Sequence, residues 1–186
     1  MHPEKTIDSE HKSATFPNTL AHLLLIGLTA GIVMGASLLI SSFFDPQMSL
    51  WSLQKGLIRI FMAHLLIALG IGFGFSALVY GLGRLFGGKG KYMDQAHGIA
   101  LVYGGQILVS AAFNLLAGIP VLGAIIFPIL LAIGAYALYN YYLVVKHVQK
   151  TGGLGSAVIV VVSYLFLMAA GILLASAIAA SMAATV

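Results

Sequence analysis

The residues whose types and spacing come nearest to a chemical motif are Gly83, Arg84, Gly87, Gly88 and Lys89, which read GRLFGGK and match the GxxxxGK pattern of a phosphate-cradling loop. Such a loop needs a Ser or Thr after the lysine to hold magnesium and a strand of an α/β sheet before it. Here Gly90 follows Lys89 and an apolar helical segment precedes it, so nucleotide binding is set aside. Arg84, Lys89 and Lys91 stand instead beside a membrane segment, where basic side chains attract anionic headgroups. They could contact lipid headgroups or a partner protein, or serve only to orient the chain.

A second pattern is Tyr103, Gln106, Ser110 and Asn114, at steps of three, four and four, which places them along one helical face. Such a stripe either lines a polar path through a membrane or makes interhelical hydrogen bonds worth about 1 kcal/mol each. Packing is the preferred reading, because no Asp or Glu lies within the apolar segments to relay a proton or cation. Of the six histidines, His2, His11 and His147 are expected at surfaces, His97 in a polar island, and His22 and His64 near opposite membrane faces. No HExxH or close ligand pair occurs, and no metal is assigned. With no cysteine and no GxSxG, neither thiolate chemistry nor a hydrolase constellation is present. The expectation is a non-enzymatic protein without a cofactor.

The elements that must position these residues follow from composition. The chain has 186 residues, 60% hydrophobic and 8% charged, with a mean hydropathy of +1.03. Soluble domains carry about a quarter charged residues, so this is an integral membrane protein. The net charge of +4 is spread over segment ends, which fits topology rather than a nucleic-acid-binding face. The fold class predicted is all-α, a polytopic bundle of five transmembrane helices forming one domain over residues 17–186. The spans fall at about 20–44, 57–86, 96–116, 121–145 and 156–184. Residues 1–16 are polar and predict a short cytoplasmic tail.

Between the spans, residues 45–56 predict a connector with Trp51 as an interfacial anchor and a short helix on the membrane surface. Residues 84–98 form the polar island, an exposed connector, and residues 117–120 a tight turn. Pro128 should kink the fourth span, whose tyrosine-rich end and Lys146 read as an aromatic belt. Residues 151–155 predict a flexible break. Gly27, Gly31 and Gly35 make a small-residue face in the first span, and Gly70, Gly74 and Gly81 with Ala77 make another in the second. Such faces serve contacts within a chain or between copies; the simplest arrangement has these two facing each other. With a cytoplasmic N-terminus, Lys5, Lys12, Arg84, Lys89, Lys91, Lys146 and Lys150 fall inside, against Lys55 and Arg59 outside. The positive-inside rule then predicts N-terminus cytoplasmic and C-terminus outside.

The run Arg84-Leu85-Phe86-Gly87-Gly88-Lys89-Gly90-Lys91-Tyr92, the hairpin Gly118-Ile119-Pro120-Val121-Leu122-Gly123 and the tyrosine-rich end of the fourth span carry a resemblance. Over about residues 20–184 the chain resembles the Yip domain family, the Ypt/Rab-interacting protein domain, in its short bacterial form. The resemblance implies a compact helical membrane domain. Eukaryotic members are associated with Rab GTPases and vesicle traffic and have a longer cytoplasmic N-terminal region, where this chain has about sixteen residues. Bacterial relatives often place a proline early in the third span, where this chain reads Tyr103-Gly104-Gly105-Gln106. No binding residue is carried over. The function expected is a scaffold or adaptor in a bacterial cytoplasmic membrane, organising partner proteins or lipids. Its expected partners are the bilayer and its anionic lipids, and a membrane protein or a second copy of the chain; nucleic acid is not among them. The competing readings are a small transporter or channel using the third-span stripe, and an accessory subunit of a larger membrane complex.

Overall fold

A computed structural model describes residues 14–43, 49–117 and 120–183. Helix α1 spans Phe16–Ser42; α2, Leu50–Leu69, runs on through a six-residue π-helical turn, Gly70–Phe75, into α3, Ser76–Leu85. Then come α4, Tyr92–Ala117, α5, Pro120–Gln149, and α6, Gly153–Ala183. No strand occurs among the described residues. Taken with α2 and α3 as one continuous rod, five helices are long and apolar enough to cross a membrane. The all-helical, five-span architecture follows from the hydropathy of those segments, because a chain in hydrocarbon must satisfy its backbone within each helix.

The second helix starts earlier than its apolar run. Ser49 caps α2 by accepting from the Ser52 N–H at 3.1 Å, so residues expected in a separate surface helix belong to the same rod. Trp51 is exposed on its first turn, with the Lys55 ammonium 4.7 Å from the ring centre. From Leu50 to Leu85 the rod has 36 residues, about 54 Å at 1.5 Å per residue. That exceeds a hydrocarbon core of about 30 Å, and α4, α5 and α6 contact the half of the rod from the π-helical turn onward.

The core sits toward the end of the bundle that carries the glycine-rich loop. Phe75 and Val79 of the rod meet Ile99 of α4, Tyr141, Val144 and Val148 of α5 and Ile159 of α6. Phe75 and Tyr141 make an edge-to-face pair with centroids 5.9 Å apart. On the other side, α1 packs along α2 through the first glycine face. A Cβ on Gly27 would lie 3.1 Å from the Leu65 Cα, and one on Gly31 would lie 3.2 Å from the Phe61 ring. Gly35 meets Leu57 in the same way.

The second glycine face does not meet the first. Gly70, Gly74 and Gly81 are exposed, with nothing within 4 Å of a Cβ built on any of them. The inward positions are Gly72, packed on Leu23 of α1, and Gly83, packed on Gln149 of α5. Ala77 is exposed as well, so the whole expected stripe is turned away from the neighbouring helices. His64 also departs from expectation. Its carbonyl lies beside Gly27, only five residues beyond His22 on α1, so the two histidines are not at opposite faces.

Candidate functional site

The glycine cluster after α3 is a helix terminator rather than a phosphate cradle. Gly87 has φ +77°, the left-handed conformation that L side chains resist. The Gly88 N–H donates to the Gly83 carbonyl at 2.8 Å and the Gly87 N–H to the Arg84 carbonyl at 3.1 Å. That pair of bonds is the Schellman motif, which satisfies the last carbonyls of a helix. The Arg84 guanidinium then donates from Nη1 to the Gly88 carbonyl at 3.0 Å.

The loop is next fastened to α5. The Lys89 N–H donates to the Gln149 carbonyl at 2.9 Å, and a Cβ on Gly90 would collide with the Val148 carbonyl. Gly88 is crowded as well, by the Gly83 carbonyl at 2.7 Å and the Gln149 side chain at 2.6 Å. Each of the three glycines is thus required by shape. Along this stretch the side chains of Arg84, Lys89 and Lys91 stand exposed, and the backbone between is held by the Schellman bonds and by Gln149.

The second half of the polar island is not a connector. Helix α4 begins at Tyr92, and Gln95, Ala96, His97, Gly98 and Ile99 are buried in its first turns. Each of these polar side chains finds a contact there, though Gln95 Nε2 and Gln149 Oε1 are left without a hydrogen-bond partner among the described residues. The Gln149 amide donates to the Gln95 carbonyl oxygen at 3.3 Å; His97 Nδ1 and the Thr19 hydroxyl are 3.2 Å apart; the His22 and His97 rings are 5.2 Å apart. Tyr92 donates its hydroxyl to the Phe73 carbonyl at 2.9 Å, inside the π-helical turn where backbone bonding is irregular. Gln95 and Gln149 are not singled out by sequence, and Thr19 offers itself there only as a possible helix cap. The detectable signal was a glutamine and a histidine two residues apart just before an apolar run, a pattern that reads equally well as solvated loop.

The break before α6 is also ordered. It covers residues 150–152, with Lys150 in a left-handed conformation at φ 55° and the Thr151 hydroxyl 2.7 Å from that of Ser156.

The third-span stripe is only partly brought together. Tyr103 is buried, and Gln106 accepts from the Tyr141 hydroxyl at 3.4 Å. Ser110 is half-buried further along α4, and the side chain of Asn114 lies outside the described residues. Pro128 lies within α5, which continues through it. Among the described residues no group of three or more His, Asp or Glu is placed to share a metal ion.

The five apolar helices and their loop-end core define a multi-pass helical membrane protein. A family profile described as the Yip1 domain matches residues 1–175, and the chain belongs to the Yip1 domain family. No curated protein and no solved structure matches it.

Proposed function

We propose that this protein is a non-enzymatic scaffold or adaptor of a bacterial cytoplasmic membrane, oriented with its N-terminus and glycine loop inside. Its recognition surface is the loop at residues 84–91. The observation that carries this reading is the fastening of that loop. Charges that merely orient a chain need no fixed backbone, since the orienting rule counts basic residues and not their geometry. Here Lys89 is bonded through its own N–H to α5, and the glycines on either side admit no side chain. Three cations carried on a fastened backbone suit an anionic headgroup or an acidic face of a partner. Family membership supports a membrane organiser, and the family's general association with Rab proteins gives a precedent for protein partners.

The test is affinity capture from native membranes in mild detergent, comparing wild type with Lys89→Glu/Lys91→Glu. Loss of captured anionic lipid or protein is expected, with unchanged elution of the chain itself. An identical captured set removes the loop as a recognition surface.

A further inference from the structure

Between the π-helical turn, α4, α5 and α6 lies a cavity of about 90 Å³, bounded by Ile71, Tyr103, Gln106, Tyr141 and Tyr164, with Leu167 at its edge. Its volume is that of about three waters at roughly 30 Å³ each, or of an ester group with its adjoining methylenes. The wall chemistry is specific. Tyr103 is 6% exposed, and its hydroxyl has no hydrogen-bond partner among the described residues. Gln106 has its oxygen engaged by Tyr141, which leaves its amide N–H groups to donate. The wall therefore supplies two neutral donors from adjacent turns of α4. It holds no Lys, Arg, Asp or Glu, so it fits an uncharged acceptor rather than a phosphate or a cation.

Depth narrows the acceptor further. The stretch of α5 that turns Tyr141 inward carries Tyr136 and Tyr139 exposed on its outside, with Lys146 5.8 Å from the Tyr142 ring centre. Such aromatic belts sit at headgroup level, and the glycerol ester carbonyls lie just beneath. Ile71 is half-buried and Leu167 is 36% exposed, so the cavity edge reaches the lipid side between the π-helical turn and α6. Irregular π-helical turns are frequent at binding sites, and an unpaired buried hydroxyl at membrane depth is costly without a ligand.

We infer that the cavity is a binding site for the acyl ester of a membrane glycerolipid. The ester carbonyl accepts from the Tyr103 hydroxyl and the Gln106 amide, and the acyl chain leaves past Ile71 and Leu167 into the bilayer. This site is separate from the charged loop and does not depend on headgroup charge.

The test uses the full chain in phosphatidylcholine vesicles containing a phosphatidylcholine with a photoreactive group on the first acyl carbons. Labelling is expected on peptides carrying Ile71, Tyr103 or Tyr164. Diacyl phosphatidylcholine should compete about five- to ten-fold better than its dialkyl ether analogue, which has no carbonyl, as one or two hydrogen bonds would give. Tyr103→Phe with Gln106→Leu should erase that preference, and Ile71→Trp should fill the cavity and block labelling. The ester and ether comparison is made on wild-type protein, so its outcome stands whether or not the variants fold. Equal competition by the two lipids, or label confined to other surfaces, overturns the assignment; a cavity that holds water only would give that result.

Discussion

An alanine at position 90 would drive its Cβ into the Val148 carbonyl, and one at position 88 would meet the Gly83 carbonyl, both rigid backbone atoms. Gly90→Ala and Gly88→Ala should each destabilise by about 1–3 kcal/mol, the usual range for overpacking. Gly81→Ala adds a methyl to open space within α3, and should be neutral or stabilising by up to about 1 kcal/mol. Thermal unfolding in mild detergent separates the three; equal melting temperatures would contradict the fastened loop. The buried glutamines give a second prediction. Gln149→Leu should cost about 1–3 kcal/mol because it strands Gln95 in the core, whereas Gln95→Leu/Gln149→Leu should recover part of that loss. A double variant as unstable as the sum of the singles would mean the two amides do not interact. At this scale the sequence displayed the glycines and lysines but not their roles. GxxxxGK spacing is shared by a phosphate loop and a Schellman terminator; Gly90 after Lys89 already speaks against the first, and the φ of Gly87 with the bond from Gly88 to Gly83 establishes the second.

The helices themselves were legible because runs of apolar residues in a chain this poor in charge admit only membrane-spanning helices. Their ends were less so. Hydropathy put the start of the third span at residue 96, whereas α4 starts at Tyr92 and buries Gln95 and His97, whose burial depends on Gln149 and Thr19 from distant segments. No local pattern encodes such partners. The same limit applies to the glycine faces: Gly27, Gly31 and Gly35 pack against α2, while Gly70, Gly74 and Gly81 are turned outward, and spacing alone does not say which side of a helix finds a neighbour. The π-helical turn gives a prediction of its own. Tyr92→Phe removes the donor to the Phe73 carbonyl and should cost about 0.5–1.5 kcal/mol. It should also raise hydrogen exchange of amides in residues 70–76, and unchanged exchange there would mean the turn holds without Tyr92.

For the whole molecule, the long second rod places the core, the fastened loop and the lipid-ester cavity toward one end of the bundle, leaving much of α6 beyond residue 160 apolar and exposed. An organiser with one recognition end needs a fixed orientation. Because the chain has no cysteine, single cysteines at Lys91 and Val186 report sidedness directly. A membrane-impermeant thiol reagent added outside intact cells should label the second and not the first; labelling of both from one side would contradict five crossings. In the function proposed, the charged loop recognises by its shape as well as its charge. Its most direct test is capture of anionic lipid and protein partners by Gly90→Ala, which keeps Arg84, Lys89 and Lys91 but breaks their support, measured beside wild type at a temperature where both remain folded and correctly oriented. A clear loss of capture with topology unchanged is expected. Capture equal to wild type would contradict it, and would reduce the three cations to an orientation signal.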